Sequence, residues 1–392
     1  MQLPNKDFEL TDTQKKAIDL AYEHFVNGKD TIIAGYAGTG KSTLVRFLIQ
    51  RLQKDFDLSD KYITFSAFTG KASQVLTNKG CSAITLHKML YEPIIDRNTG
   101  EVFFDLKDEL PYKLIIVDEC SMAPLQMVQE LQSFGIPTVY LGDPGQLSPV
   151  QKDADNHLLD HPDIFLTEVL RQALGSPIIR LSMKIRNDED ITGFNFPEAR
   201  VLTKSQLTPK DLTEADMILV GTNKMRQKTN YAMRKMLGKN GLFDGKEKVI
   251  CTVNYWEEVI DRSLTNGTVG WITNPVYTSK YFAKRPKTNV QLIRGVFTSE
   301  TGLRKVVEID KQFLDSELSQ LTARQKADIK PRALQPKEFS YAYAITGHKA
   351  QGSEWDTVVI LEEDFPYGPD HKRWLYTCVT RAKKKVTLVR GF

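Results

Sequence analysis

Residues 35–43, GYAGTGKST, constrain the fold of this chain more than any other stretch. Gly35 to Ser42 match G-x-x-x-x-G-K-[ST], a spacing that carries meaning only between a strand and a helix. Both flanks are present. Thr31-Ile32-Ile33-Ala34 reads as a short buried strand, and Leu44, Phe47, Leu48 and Leu52 recur at helical spacing. Glycines at 35, 38 and 40 let the backbone curl so that successive N–H groups face inward, where the positive end of the next helix adds to an anion site. The candidate cradle is Gly35, Ala37, Gly38, Thr39, Gly40, Lys41, Ser42 and Thr43. Lys41 reaches the β- and γ-phosphates and the Ser42 hydroxyl is the candidate Mg²⁺ ligand, so the expected ligand is a nucleoside triphosphate.

At 392 residues the chain exceeds what one core usually spans, and two or more domains are expected. No apolar run approaches the ~18 residues that a membrane crossing needs, and MQLPNKDFEL has neither a basic start nor an apolar core. A cytoplasmic protein with no membrane partner is the expectation. Cys81, Cys120, Cys251 and Cys378 are scattered, which suggests reduced thiols rather than a disulfide framework or a zinc site. A formal charge of +4, from 53 Lys and Arg against 49 Asp and Glu, permits nucleic-acid binding without indicating it.

Further strands are read at Tyr62–Phe65, Leu114–Val117 and Thr138–Leu141, with helical stretches between them. That alternation around a P-loop implies an α/β fold with a doubly wound parallel sheet. The pattern begins again with strands at Met217–Val220, Thr357–Leu361 and Val386–Val389 and helical stretches near 225–238 and 346–352, a second α/β domain without a P-loop. Two segments break the rhythm. Residues 92–106 read as a hairpin turning at Asn98-Thr99-Gly100, and residues 246–335, rich in β-branched and aromatic residues, read as a small inserted β-barrel.

Asp118-Glu119 follows the strand ending at Val117, where a carboxylate meets the cleft. An aspartate there holds Mg²⁺ and a neighbouring glutamate polarises the attacking water; the alternative is two surface acids ending a strand. Thr11-x-x-Gln14 is a capping box opening a helix, and the Gln14 amide is equally suited to read an adenine edge.

In order along the chain, LTDTQKKAI, GYAGTGKST, AFTGKAS, TLHKML, VDECSM, LGDPGQLSPV, LTEVLRQ, VGTNKMRQKTN, AITGHKAQGSEWD and LYTCVTRAKK resemble the motifs of superfamily 1 helicases. The resemblance runs from about Leu10 to Lys384 and points to the RecD/Dda branch (superfamily 1B), whose members move 5′ to 3′ on single-stranded DNA. It implies two RecA-like parallel-sheet domains: residues 1–170, carrying an inserted pin hairpin at 88–112, and residues 171–245 with 336–392, interrupted by an SH3-like β-barrel at 246–335. It implies an ATP-dependent, Mg²⁺-requiring DNA helicase. Gln14 then matches the adenine-reading glutamine, Gln146 a γ-phosphate sensor, Arg171 and Arg381 the arginines that approach the γ-phosphate, and Glu354 an acid near the ribose or metal. The arginines have an independent rationale: a guanidinium arriving from a mobile partner stabilises transition-state charge only when the cleft is shut.

The same resemblance places Thr69, Lys71, Thr85 and His87, and then Thr346, His348 and Gln351, along the single-strand channel. Phe103 or Phe104 on the hairpin stacks on a base at the fork, or else both bury against the first domain. The barrel's Lys280, Lys284, Arg285 and Lys287, with Tyr281 and Phe282, form either a single-strand contact or a solvated face. The implied partners are single-stranded DNA, duplex junctions and a single-strand-binding protein, with activity as a monomer. The length fits a free-standing motor of the phage type in bacterial or host cytoplasm. A translocase that strips proteins without unwinding, a preference for RNA, and an ATP-gated clamp remain open alternatives at this point.

Overall fold

The computed structural model of the chain describes residues 9–78, 80–95, 102–147, 156–239, 241, 246–252, 264, 266–282, 288–300, 302–310, 339–365 and 368–392. The chain divides into two compact units, one of Met1–Glu92, Asp105–Gln206 and Ala350–Phe392 and one of Pro93–Phe104 and Leu207–Lys349. The expected turn at Asn98–Gly100, Lys284, Arg285 and Lys287 lie outside the described residues, as do the side chains of Arg171, Lys280, Tyr281 and Phe282.

In chain order come α1 (Asp12–Val26), β1 (Thr31–Gly35), α2 (Lys41–Phe56), β2 (Ile63–Ala67), α3 (Gly70–Asn78), β3 (Ala83–Thr85), α4 (Leu86–Leu90), β4 (Tyr91–Ile95) and β5 (Val102–Leu106). Next are β6 (Leu114–Asp118), α5 (Leu125–Ser133), β7 (Thr138–Gly142), β8 (Ile164–Leu166), α6 (Arg171–Leu174), α7 (Pro177–Arg186) and β9 (Ala199–Thr203). There follow α8 (Pro209–Thr213), β10 (Met217–Val220), α9 (Asn223–Met236), β11 (Glu247–Cys251), β12 (Val269–Phe282), β13 (Thr288–Ser299), β14 (Arg304–Asp310), β15 (Phe339–Tyr341) and β16 (Ala344–Thr346). The chain closes with β17 (Trp355–Leu361), α10 (Pro369–Val379) and β18 (Ala382–Arg390).

The first unit is built on a six-stranded sheet of order β3-β2-β6-β7-β1-β8, parallel throughout. Alternation within one strand divides its core. Leu114 and Ile116 of β6 pack with Ile33, Leu44, Leu48 and Leu141 on one face, while Ile115 and Val117 pack with Tyr140, Met127 and Leu131 on the other. Strands this apolar on both faces need helices on both sides, and α1, α2 and α3 cover the first. Because β6, β7 and β1 are neighbours, the loops after Asp118, Gly142 and Gly35 leave the same edge of the sheet, where open α/β sheets hold their ligands. The same unit holds a second parallel run, β17-β18-β9, in which α10 connects β17 to β18.

In the second unit β10 and β16 pair in parallel. The stretch expected to be helical at 346–352 is instead the end of β16 followed by a 3-10 turn at His348–Ala350. Asn230 of α9 holds the chain just before it: its amide donates to the Tyr341 and Ala344 carbonyls, both at 3.0 Å, and accepts from the Ala344 N–H at 2.8 Å. An antiparallel sheet of order β14-β13-β12-β11-β15 follows, with Ile272, Ile293, Phe297, Val307 and Phe339 on its buried face. Its register shifts between Thr273 and Val276. Pro275 lies in that gap, where a residue without an N–H cannot extend the ladder. The sheet takes β15 from beyond the expected boundary at residue 335. β4 and β5 pair with each other as a separate two-stranded sheet.

Candidate nucleotide site

The P-loop has the conformation its glycines require. Gly38 and Gly40 have φ of 81° and 79°, a region that side chains rarely enter, and α2 begins at Lys41 directly after them. A Cβ on Gly40 would stand 2.7 Å from Gln14 Nε2 and 2.9 Å from Leu170 Cδ1. The loop is therefore held on two sides. Thr39 is buried; its hydroxyl donates to the Tyr36 carbonyl at 2.8 Å and its carbonyl accepts from Gln14 Nε2 at 2.9 Å. The Lys41 ammonium donates to the Gly35 and Tyr36 carbonyls, the latter at 3.2 Å.

Gln14 meets the capping expectation in full, since Thr11 Oγ1 accepts from its N–H and its Oε1 accepts from the Thr11 N–H at 3.0 Å. One hydrogen of its amide ties α1 to the Thr39 carbonyl, so one side chain both starts a helix and braces the phosphate loop. Ser42 and Asp118 line the same small cavity, beside Phe65 and Leu141. One hydroxyl and one carboxylate suit Mg²⁺ that takes its other ligands from phosphates and water. Among the described residues no cluster of three or more acidic, His or Cys side chains could hold a metal without them.

Glu119 stands in the left-handed region at φ 52°, a strain of the kind found at working sites. The Asp118 carboxylate accepts its N–H at 2.9 Å. Its own carboxylate lies 3.8 Å from Arg381 Nη1. Burial raises the Glu119 pKa, the Arg381 charge pulls it back down, and Asp118, Lys41 and Asp143 act on it more weakly. Three carboxylates and two cations thus share one desolvated site. Arg381 is itself buried, donating from Nε to the Thr377 carbonyl at 3.0 Å and from Nη2 to Thr380 Oγ1 at 3.1 Å. Gln146 is buried in the loop after β7, with its N–H on the Asp143 carbonyl at 3.1 Å. Glu354 is half-buried beside Ser353, whose carbonyl receives Arg381 Nη1 at 3.5 Å.

The expected strand contacts fall into two groups. In the first unit Thr69 accepts the Ala72 N–H at 3.2 Å at the start of α3, Thr85 caps α4 through the Lys88 N–H at 3.2 Å, and Lys71 lies 3.9 Å above the Trp355 ring. The His87 ring lies tilted against Tyr91, with centroids 4.8 Å apart, and burial lowers its pKa. Gln351 is buried, with Nε2 donating to the Leu147 carbonyl at 2.7 Å. In the second unit Thr346 is buried at the end of β16 and His348 is half-buried in the turn after it. Phe103 is 53% exposed and Phe104 is half-buried.

Two residues with no assigned role from the motifs complete the site. Tyr376 of α10 accepts the Ala37 N–H at 2.8 Å and donates to Asp143 Oδ2 at 2.7 Å, and Thr377 accepts the Leu147 N–H at 3.0 Å. The only hint in the sequence is their place in LYTCVTRAKK, five and four residues before Arg381.

A phosphate loop with Asp118, Glu119 and the buried Arg381 beside it has the make-up of a P-loop phosphohydrolase site. Comparison with known proteins narrows the class. The AAA domain family matches residues 9–203 and the UvrD-like helicase C-terminal domain family matches residues 341–389. The chain is 25% identical to the ATP-dependent RecD2 DNA helicase of Deinococcus radiodurans over 96% of its own length and 48% of that protein's. It is 30% identical to the ATP-dependent DNA helicase dda of Enterobacteria phage T4, over 46% of this chain and 43% of that one. In fold it resembles Pif1 helicase from Bacteroides in complex with ADP-AlF3 and ssDNA, at TM-score 0.54 and 17% identity, covering 98% of this chain and 93% of that one. These matches make the chain similar to superfamily 1 helicases of the RecD and Dda type. It spans about half the length of the RecD2 relative.

Proposed function

We propose that this chain is an ATP-dependent DNA helicase that translocates 5′ to 3′ on single-stranded DNA and unwinds duplex ahead of it. The observation that carries the reading is Arg381 at 3.8 Å from Glu119, in the charge cluster that also holds Lys41 and Asp118. Mg²⁺, held by Ser42 and Asp118, supplies charge neutralisation on the phosphates when bound. Lys41 leaves the Gly35 and Tyr36 carbonyls to meet the β- and γ-phosphates, Glu119 takes a proton from the attacking water, and Arg381 stabilises the developing charge. Gln146 senses the γ-phosphate, Arg171 is the second arginine, Gln14 reads adenine and Glu354 stands near the ribose.

Two RecA-like domains, residues 1–170 and residues 171–245 with 336–392, alternate their grip on one strand. Thr69, Lys71, Thr85, His87, Thr346, His348 and Gln351 supply that grip. The pin at 88–112 parts the duplex, and the antiparallel sheet within 246–335 and β15 is an SH3-like barrel. The protein acts as a monomer in the cytoplasm on single strands and junctions, where a single-strand-binding protein shares its substrate.

Strand separation with Mg–ATP on duplexes tailed at the 5′ or the 3′ end tests this. Separation from the 5′ tail alone, lost in Lys41→Ala while circular dichroism is unchanged, is the expected result. Hydrolysis stimulated by single strands without separation from either tail replaces this reading with a translocase that does not unwind.

A further inference from the structure

The buried tyrosine of α10 is the group in the site that the proposed hydrolysis leaves unused. Its hydroxyl accepts the Ala37 N–H of the P-loop at 2.8 Å and donates to Asp143 Oδ2 at 2.7 Å, while Asp143 Oδ1 takes the Gly145 N–H at 2.9 Å. Both ends of this line are interior. Asp143 is 2% exposed and Tyr376 is 1% exposed. A hydroxyl can accept from an amide and donate to a carboxylate through a single atom. Burial and the adjacent Asp143 carboxylate push the Tyr376 pKa up, which keeps its proton available for donation.

The fit is close on the loop side as well. A Cβ on Gly145 would stand 3.1 Å from Tyr376 Cε1, so a side chain at residue 145 would press on the ring. Two residues on, the Leu147 N–H donates to Thr377 Oγ1 at 3.0 Å. The same segment ends in Arg381, whose Nε returns to the Thr377 carbonyl at 3.0 Å. Displacing Tyr376 and Thr377 therefore displaces the guanidinium.

We infer that Tyr376 is a positioning residue: its hydroxyl joins the P-loop to the loop carrying Gln146 and thereby sets where Arg381 stands against Glu119. This rests on the proposed role of Arg381 in hydrolysis, and it adds a link between the occupied phosphate loop and the arginine. A shift of the Ala37 N–H is transmitted through one oxygen to Asp143 and through α10 to Arg381.

Tyr376→Phe keeps the ring and removes the link. Hydrogen exchange at the Ala37 amide is expected to quicken about tenfold or more, because its acceptor is gone. The kcat for single-strand-stimulated ATP hydrolysis is expected to fall roughly 10- to 100-fold with KM for ATP within about threefold, the split of a group that acts on the transition state. In an Arg381→Ala background Tyr376→Phe is expected to add no further loss. Unchanged Ala37 exchange overturns the inference whatever the turnover, and so does an additive loss in the double variant. Should Tyr376→Phe not fold, Gly145→Ala, which pushes on the same ring, reads the same kcat and KM split, and normal kcat there counts against the inference. A wild type with protected Ala37 but no turnover would remove the motor reading and leave the hydrogen-bonded link standing.

Discussion

Arg381 Nη1 lies 3.8 Å from Glu119 Oε1, and the arginine is 5% exposed. A guanidinium placed against the glutamate proposed to polarise water is in position to stabilise charge in the transition state and to hold that residue ionised beforehand. Arg381→Ala is expected to lower kcat for ATP hydrolysis roughly 10³-fold, the lower end of what such arginines contribute, while a fluorescent ATP analogue still binds within a few-fold. Turnover near that of the wild type would make the arginine structural.

The raised pKa of Glu119 gives a second readout. Burial favours the protonated form in the folded protein, so the stability this group contributes is complete below its unfolded pKa of about 4.3 and is lost as pH rises through the higher folded value. Activity runs the opposite way, because the carboxylate must be ionised to take a proton. Single-turnover hydrolysis should therefore show an acid limb above the ordinary glutamate range, moving higher still in Arg381→Lys if the shorter cation stands further off. A limb at or below the ordinary value, or one that persists in Glu119→Gln, would assign the titration to another group.

Residues near the phosphate loop were legible in the sequence because their spacing is itself the chemistry. Gly38, Gly40 and Lys41 need a strand before and a helix after, and β1 and α2 supply them. The six-stranded parallel sheet followed from the same alternation, but β3, β8 and β9 are three to five residues long and left no periodic signal. Tyr376 was not legible, since in a helix a buried ring and a hydroxyl donor look alike until the loop opposite is placed. Asn230 was missed for a related reason: its partners at Tyr341 and Ala344 are more than 100 residues away. Gln351 shows the converse, a position singled out by its motif that the fold also uses, with Nε2 at 2.7 Å from the Leu147 carbonyl.

Glu247 should dominate the stability of the second unit. Its side chain is fully buried, takes Arg234 Nε at 2.8 Å and the Tyr343 hydroxyl at 3.1 Å, and has Lys239 Nζ at 3.3 Å. Arg234→Met leaves that carboxylate short of a charge-assisted donor and is expected to cost about 3 kcal/mol in urea unfolding. Replacing both residues, Arg234→Met with Glu247→Leu, should cost less than the single change, since no charge is then stranded. A single variant within about 1 kcal/mol of the wild type would show that Lys239 and Tyr343 suffice.

Phe103 tests the pin. It is 53% exposed on β5 while its neighbour Phe104 is half-buried, the alternation expected of a strand with one face toward solvent. A large ring left in water is available to stack on a base, and such stacking is worth about 1–3 kcal/mol. Phe103→Ala is accordingly expected to slow strand separation about tenfold while single-strand-stimulated hydrolysis stays within about twofold. Phe104→Ala should do the reverse, lowering the melting temperature and leaving the coupling of hydrolysis to separation near normal. If Phe103→Ala separates strands as fast as the wild type, the two-stranded sheet of β4 and β5 does not part the duplex through this ring, and unwinding must depend on another feature at the fork.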